Sequence, residues 1–511
     1  MLIFEWILVL LLGAVGLAAL ARRVGAPYPA LLAVGGAAVA LVPGAPRLDL
    51  EPDLVLALFI APVLLDAAYD SSLRDLRDNW RPVSALVLIA VSLTTLGVAV
   101  VARLMFPDLP WAAAIALGAI VAPPDAVAAL AVLRQIQPPH RILKILEGES
   151  LLNDASALLI YRLAVGASVG GFSLAHAVPT FALVAVGSVV VGWGLARTGG
   201  WLLGFVKDVP SSVIIQFVST FGVWILAERL GLSGVITIVV YGVTLATRNA
   251  APMAARLRIP SFAVWETATV VLNVLAFTLI GLQVRPILEA LSPQERIEYL
   301  RAALVILATV IAIRVAWVMS YNGGTRLKNH LFGVRLARPS MAPPTAAGGL
   351  LVAWCGMRGM VTLAAALALP EAFPYRDFIL LTAFAVVLGT LVIQGLTLKP
   401  LMRVLPLPDD DPVRKEVKIA RATALKATLA ELDGDDSPAA EALRREYADA
   451  LSLTKKGQNA RDSAENALRR RVVSVSRAAL SDLRRRGEIG DDAYRALEEE
   501  FDWLELSARE G

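Results

Sequence analysis

The chain has one cysteine in 511 residues, Cys355, so no intrachain disulfide can brace it. It has three histidines, His140, His176 and His330, each at an expected helix end or loop. They form no His/Cys set spaced to hold a metal. No Gly-x-x-x-x-Gly-Lys loop is present to cradle nucleotide phosphates, so no ATP-driven cycle is expected. Residues 1–20 are apolar but lack the basic region that opens a signal peptide, and they carry Glu5. They read as a retained first helix. Charge is also scarce, at 18% of residues. These absences exclude a disulfide scaffold, a metalloenzyme and a nucleotide-driven pump; neither an enzyme activity nor a cofactor nor a nucleic-acid partner is expected.

Apolar residues are abundant: 57% of the chain is hydrophobic, with a mean hydropathy of +0.65. The apolar stretches are mostly long enough for a helix to cross ~30 Å of hydrocarbon. A β-barrel would instead show ~10-residue alternating segments. The expected fold is an all-α polytopic membrane protein of about 13 spans. They fall at roughly 2–21, 29–43, 53–69, 82–105, 111–133, 142–168, 174–206, 211–229, 231–247, 262–284, 299–320, 344–370 and 376–403.

Basic residues divide unevenly between the two sets of loops. With the N-terminus outside, the inside loops hold about 17 Lys and Arg, including Arg22, Arg74, Arg141 and Arg326, against about 6 outside. An odd number of spans then puts the C-terminus in the cytoplasm. Composition changes after Val404. Residues 405–511 carry 19 Lys+Arg and 23 Asp+Glu, a net −4, which leaves +8 for residues 1–404. A transmembrane domain of 1–404 and a helical cytoplasmic tail of 405–511 are expected, with breaks at 432–438 and 487–490. The last tail helix, near 491–506, bears a Leu/Phe/Trp stripe.

Two spans are interrupted. Span 5 contains Ala122-Pro123-Pro124-Asp125-Ala126, where proline removes backbone donors. Span 12 contains Gly348-Gly349 and Gly356-Met357-Arg358-Gly359. Each is the middle member of a three-span group, 4–6 and 11–13. The groups are offset by seven spans, so the second is inserted upside down relative to the first. Broken helices in matching positions of inverted repeats mark a transporter binding site.

Span 6 carries Glu147-Gly148-Glu149-Ser150-Leu151-Leu152-Asn153-Asp154. A charge at a helix centre costs at least ~2.5–3.5 kcal/mol on insertion scales, which points to ion or proton handling. At ~100° per residue, Ser150 and Asp154 share a face, while Glu149 and Asp154 lie ~140° apart. The two carboxylates therefore take different jobs. Asp154 is read as the cavity residue. With Asn153 beside it and Ser150 one turn back, it offers hard oxygen ligands suited to Na⁺ or K⁺, Asp154 and Ser150 above all. One carboxylate in a low-dielectric site holds a cation or a proton, not both. Glu147, nearest the water, is read as a solvated charge.

Glu149 needs a partner. Arg358 in span 12 is favoured, as a structural ion pair joining the repeats, with Arg314 in span 11 as the alternative. The break in span 5 frees the carbonyls of Val121 and Ala122, which are candidates to line the cation site. Asp125 is read as neutralising the helix-end dipoles where the two breaks cross, with a second-ligand role as the alternative. Arg162 and Asp66, and the polar residues of span 10 (Glu266, Asn273 and Gln283), read as structural.

Gly148-Glu149-Ser150-Leu151-Leu152-Asn153-Asp154 resembles the signature of the monovalent cation:proton antiporter family, the sodium/proton exchangers, in its bacterial branch. Leu73-Arg74-Asp75-Leu76-Arg77-Asp78-Asn79-Trp80-Arg81-Pro82 resembles the loop before the family's fourth span. Ala227-Glu228-Arg229-Leu230-Gly231-Leu232-Ser233-Gly234-Val235 is similar to the start of its ninth. Trp265-Glu266-Thr267 and Phe277-Thr278-Leu279-Ile280-Gly281-Leu282-Gln283 are similar to its tenth. Gly356-Met357-Arg358-Gly359-Met360-Val361 is similar to its broken twelfth. The motifs keep their order over most of residues 50–400.

The resemblance implies a homodimer, with a dimer domain at 1–69 and 174–284 and a moving core at 82–168 and 299–403. It implies that Asp154 carries cation and proton alternately, assisted by Asn153 and Ser150. An Asn-Asp pair goes with electroneutral exchange in the family, and Asn153-Asp154 is such a pair. One departure stands out. Sodium exchangers of the family usually have Thr-Asp-Pro at the span 5 break, and here Pro124-Asp125-Ala126 stands there, without a hydroxyl. The choice among Na⁺, K⁺ and Li⁺ stays open.

The expected function is antiport of Na⁺ (or K⁺) for H⁺ across a prokaryotic inner membrane, with pH homeostasis as its use. A channel would show a repeated pore loop, which is absent. An intramembrane aspartyl protease would need a Gly-x-Gly-Asp beside Tyr69-Asp70, which is absent too. A sodium-coupled symporter of an organic solute is the alternative, and it would need a larger cavity.

Overall fold

The computed structural model describes residues 2–43, 52–133, 138–169, 174–206, 208–248, 255–333, 343–407, 412–457 and 464–510. Among these residues helix is the regular structure and no strand occurs. Hydrocarbon supplies no hydrogen-bond partners, so a spanning backbone must satisfy itself, as a helix does. Arg47, Arg134, Lys207, Arg335 and Arg338, which enter the loop-charge reading, lie outside the described residues.

The helices follow the hydropathy. Spans 1 and 2 are Leu2–Val24 and Tyr28–Ala40, and span 3 covers residues 52–69. Span 4 is Trp80–Met105. Span 5 is split into Trp111–Val121 and Ala126–Leu133. Spans 6 to 11 are His140–Val169, Leu174–Leu203, Val209–Arg229, Gly234–Arg248, Ala255–Leu282 and Pro293–Phe332. Span 12 is split into Ala346–Trp354 and Met360–Leu367, and span 13 is Arg376–Val404. With each broken helix taken once, thirteen segments lie among the described residues, and six helices are long and apolar enough to cross a bilayer individually. Span 11, at 40 residues, is ~60 Å long and overshoots the hydrocarbon.

Local chemistry sets the starts. Ser292 accepts from the Glu295 backbone N–H while the Glu295 carboxylate accepts from the Ser292 N–H, a capping box that opens span 11. Asp208 caps span 8 through the Ser211 N–H, and Thr345 caps span 12 through the Gly348 N–H.

The chain divides into two compact units, Met1–Asp410 and Asp411–Gly511. In the first, the half-helix Trp111–Val121 packs against spans 4 and 6, and span 11 packs against spans 4, 12 and 13. A cluster of Phe106, Tyr299 and Phe378, with ring centroids 4.7–5.7 Å apart, ties the ends of spans 4, 11 and 13. Leu12, Leu104, Leu183 and Val218 stand exposed, an apolar belt that a bilayer covers. In the second unit, Pro412–Leu432 packs on Pro438–Lys456, and Ala464–Arg485 packs on Asp491–Glu510. Arg477 pairs there with Asp502 and Glu505.

Spans 3 and 4 contain stretches of wider π-helix, Leu56–Ile60 and Ala85–Ala90, that periodicity does not anticipate. Pro62 follows the first and Pro82 precedes the second. Pro62, without an N–H, leaves the carbonyl of Leu58 inside the first stretch unserved, and a π turn rearranges such bonds; Pro82 lies ahead of the second stretch and does not act on its carbonyls.

Candidate functional site

The two helix breaks meet. The Asp125 backbone N–H, just past Pro123-Pro124, donates to the Met357 carbonyl at 2.6 Å. A β-carbon on Gly359 would lie 1.6 Å from Asp125 Oδ2, so only glycine lets the carboxylate occupy that place.

Around this meeting point lies a cavity of about 50 Å³. Asp125, Ser150 and Asp154 line it, with Asn273 of span 10 and Thr362 of the second half of span 12. Phe59, Ile60 and Phe277 close the apolar side. The Leu56–Ile60 π turn thus sits on the cavity wall. Among the described lining residues there are two carboxyls and no Lys, Arg or His. The volume equals on the order of two water molecules. It suits a small ion or a proton-carrying water and excludes a solute of ordinary organic size.

Asn153 is fully buried, and its side-chain N–H donates to the Pro124 carbonyl at 2.8 Å. It therefore ties span 6 to the span 5 break. Its Oδ1 is buried with no hydrogen-bond partner, and Asn153 is not among the residues that line the cavity. Ser156, one turn on, donates to the Val87 carbonyl in the π turn of span 4.

The opposite face of span 6 differs. Glu149 is 2% exposed and takes two hydrogen bonds from Arg314, at 2.6 and 2.9 Å. This corrects the favoured pairing of Glu149 with Arg358; the alternative, Arg314, holds it. The reason is geometric. Arg314 reaches across from span 11, where its Nε and Nη2 also donate to the Ala353 and Val352 carbonyls, each at 3.2 Å. Those carbonyls end the first half of span 12 and lack intrahelical partners. A β-carbon on Gly356 would fall 2.3 Å from Arg314 Cδ, so the glycine admits the arginine stem.

Arg358 is 1% exposed and serves backbone instead of a carboxylate. Its Nε donates to the Val121 carbonyl at 3.0 Å, its Nη2 to the Ala122 carbonyl at 3.3 Å and its Nη1 to the Gly356 carbonyl. Its own N–H donates to Thr390 Oγ1. This is a second correction. The Val121 and Ala122 carbonyls, candidates for a cation, already face a guanidinium, and a second positive charge there would be repelled. A span 12 side chain thus fills the hydrogen-bonding gap left by the span 5 prolines.

Other polar residues fall elsewhere. Glu147 pairs with Lys144 at 2.7 Å. Arg162 pairs with Glu228 at 2.9 Å on an exposed face. Asp66 lines a different cavity, with Tyr69, Gln216 and Trp265. Cys355 is buried as a small core residue. Thr362 and Gly359 went unremarked as site residues in the sequence. A small residue directly after Arg358 was the available signal for Gly359, whereas Thr362 in an apolar run gave none.

The model of the sodium/hydrogen exchanger transmembrane family matches residues 7–404. The chain belongs to that family. Its relatives include a sodium, potassium, lithium and rubidium/H⁺ antiporter of Bacillus subtilis (strain 168), 29% identical over 94% of this chain and 74% of that protein. They also include the low-affinity Na⁺/H⁺ antiporter NhaS1 of Synechocystis, 31% identical over 80% of this chain and 76% of that protein. Among solved structures, the sodium proton antiporter MjNhaP1 of Methanocaldococcus jannaschii is similar in fold, with a TM-score of 0.59 at 18% identity, over 79% of this chain and 99% of that one. As a sodium/hydrogen exchanger family member, the chain has its crossed breaks inside the matched region and its tail helices after it.

Proposed function

We propose that the protein is a secondary active antiporter that exchanges Na⁺ or K⁺ for H⁺, with cation and proton competing for Asp154. One observation carries this. The cavity offers Asp154 with Ser150 and Asp125, and among the described residues of its lining there is no cationic side chain. A buried carboxylate without a fixed counter-charge is costly and must be neutralised by something that can leave. Protons and monovalent cations are both small enough for ~50 Å³. The Asn153 amide assists from outside the lining by holding the span 5 break, while Ser150 supplies a neutral oxygen. Asp125 shares the cavity and holds the dipole ends at the crossing.

With one carboxylate trading one cation for one proton, exchange is electroneutral. The protein works as a homodimer in a bacterial inner membrane, with its N-terminus outside and its tail in the cytoplasm, and serves pH homeostasis. Residues 1–69 and 174–284 form the dimer domain. Residues 82–168 and 299–403 form a core that rocks against it, the Glu149–Arg314 pair and the Arg358 contacts keeping the core rigid. A cavity of two-water size speaks against organic solute symport.

The test is proton flux in proteoliposomes with a trapped pH dye, after adding Na⁺, Li⁺, K⁺ or choline, with membrane potential clamped and unclamped. Dissipation by Na⁺ or K⁺ but not choline, unaffected by the clamp, is expected. Flux with none of them from about pH 5 to 9, in a folded dimer, would overturn the function.

A further inference from the structure

Thr362 is the third residue of the second half of span 12, Met360–Leu367, and it lines the ion cavity. It is 1% exposed. Threonines in other spans of this chain donate to the carbonyl four residues back: Thr237 to Ser233, Thr278 to Val274 and Thr390 to Val386, each at 2.8 Å. Thr362 has Arg358 at that position, inside the helix break, and no such bond forms. Among the described residues its hydroxyl has no hydrogen-bond partner. Thr95 and Thr382 also lack partners, but their oxygens are sealed from any space. The Thr362 oxygen is not sealed, and the space it meets is the cavity.

Ser150 of span 6 lines the same cavity, and among the described residues its hydroxyl is likewise unpartnered. Two helices thus each present an unspent hydroxyl to the space that Asp154 faces. The span 5 break adds none, because Pro123, Pro124 and Ala126 carry no hydroxyl. Its Asp125 carboxylate lies instead against Gly359, where the half-helix begins and its dipole is positive. A buried hydroxyl is costly unless something uses its oxygen, and a bound cation does so. We propose that Thr362 Oγ1 is a cation ligand which, with Asp154 and Ser150, sets a preference for Na⁺ and Li⁺ over K⁺. A fixed oxygen replaces one water of the ion's hydration shell. A smaller ion gives up water more reluctantly, so it loses more when that oxygen is missing. The inference rests on the antiport reading of this cavity and adds the residue that selects the ion.

Proton flux driven by Na⁺, Li⁺ or K⁺ in proteoliposomes at fixed pH tests this, with KM and kcat measured for each ion. Thr362→Val keeps the shape of the side chain and removes the oxygen. It should raise KM for Na⁺ and Li⁺ by about tenfold and for K⁺ by about threefold or less. Thr362→Ser keeps the hydroxyl and should hold all three KM values near those of the parent. Melting curves separate a lost site from a lost fold, and if Thr362→Val folds poorly, Thr362→Ala carries the same expectation. Where a folded variant gives too little flux, Na⁺ titration of the purified protein reads the same shift as half-saturation. Unchanged KM values, an equal loss for all three ions, or a loss in Thr362→Ser as large as in Thr362→Val would overturn the assignment and leave antiport standing. A parent that takes K⁺ at lower KM than Na⁺ would overturn it too. A parent with no cation-driven flux would overturn the antiport reading, and this inference with it.

Discussion

Two faces of span 6 bury a carboxylate each, five residues apart, and solve the cost in opposite ways. Glu149 is gripped by Arg314 through two hydrogen bonds, and that guanidinium also holds the Val352 and Ala353 carbonyls. Asp154 faces a cavity whose described lining residues include no cationic side chain. A fixed counter-ion makes a charge part of the scaffold, whereas a counter-ion that can leave makes it a carrier. The arginines follow the same logic. Arg314 and Arg358 are both spent on span 12 or span 5 backbone and so stay clear of the cavity.

The comparison breaks most sharply at Asp154. Asp154→Asn should reduce exchange to the background of empty liposomes while the protein melts within a few degrees of the parent. Retained exchange would move the carrier role elsewhere. Next comes Glu149→Gln, which strands the Arg314 charge and should cost roughly 3–5 kcal/mol. The double variant Glu149→Leu with Arg314→Met should melt higher than Glu149→Gln, since an apolar pair of similar volume needs no desolvated charge. If Glu149→Gln instead yields a fully stable protein without transport, the division between the two carboxylates fails. Gly359→Ala should be smaller in stability than the clamp variant and larger in transport. Its β-carbon displaces the Asp125 carboxylate, and turnover should fall by about tenfold or more without loss of the Glu149–Arg314 pair.

The smallest effect is expected far from both faces. The hydrogen bonds from Ser292 hold the Glu295 carboxyl below the usual carboxylate range. A depressed folded value means the cap is fully present above the unfolded value and is lost as pH falls through the folded one. The protection of the first-turn amides of span 11 against hydrogen exchange, taken relative to their intrinsic rates at each pH, should therefore fall only toward acid pH, and Ser292→Ala should lower that protection at neutral pH with transport unchanged.

Much of this was legible from residue order. Thirteen apolar segments follow from hydropathy, and the breaks at 122–125 and 355–359 follow from Pro123-Pro124 and from glycines 356 and 359. The four-residue step from Ser150 to Asp154 put them on one face, and both line one cavity. Partner choice was not legible. Arg314 and Arg358 are each a lone arginine in an apolar span, and periodicity gives a face without a depth or a neighbour. The broken helix favoured Arg358, but the same break created the unserved carbonyls of Val121 and Ala122 that take it. The π turns in spans 3 and 4 were hidden for a related reason, because a single wide turn leaves the apolar content of a span unchanged.

Proton release on cation binding tests the central claim most directly. Purified protein in weakly buffered solution with a pH dye would be titrated with Na⁺ and with K⁺, for the parent and for Asp154→Asn. If cation and proton compete for Asp154, the parent releases about one proton per cation bound and Asp154→Asn releases none. Undiminished proton release by a folded Asp154→Asn, or cation binding by the parent with no proton released at any pH from about 5 to 9, would contradict it.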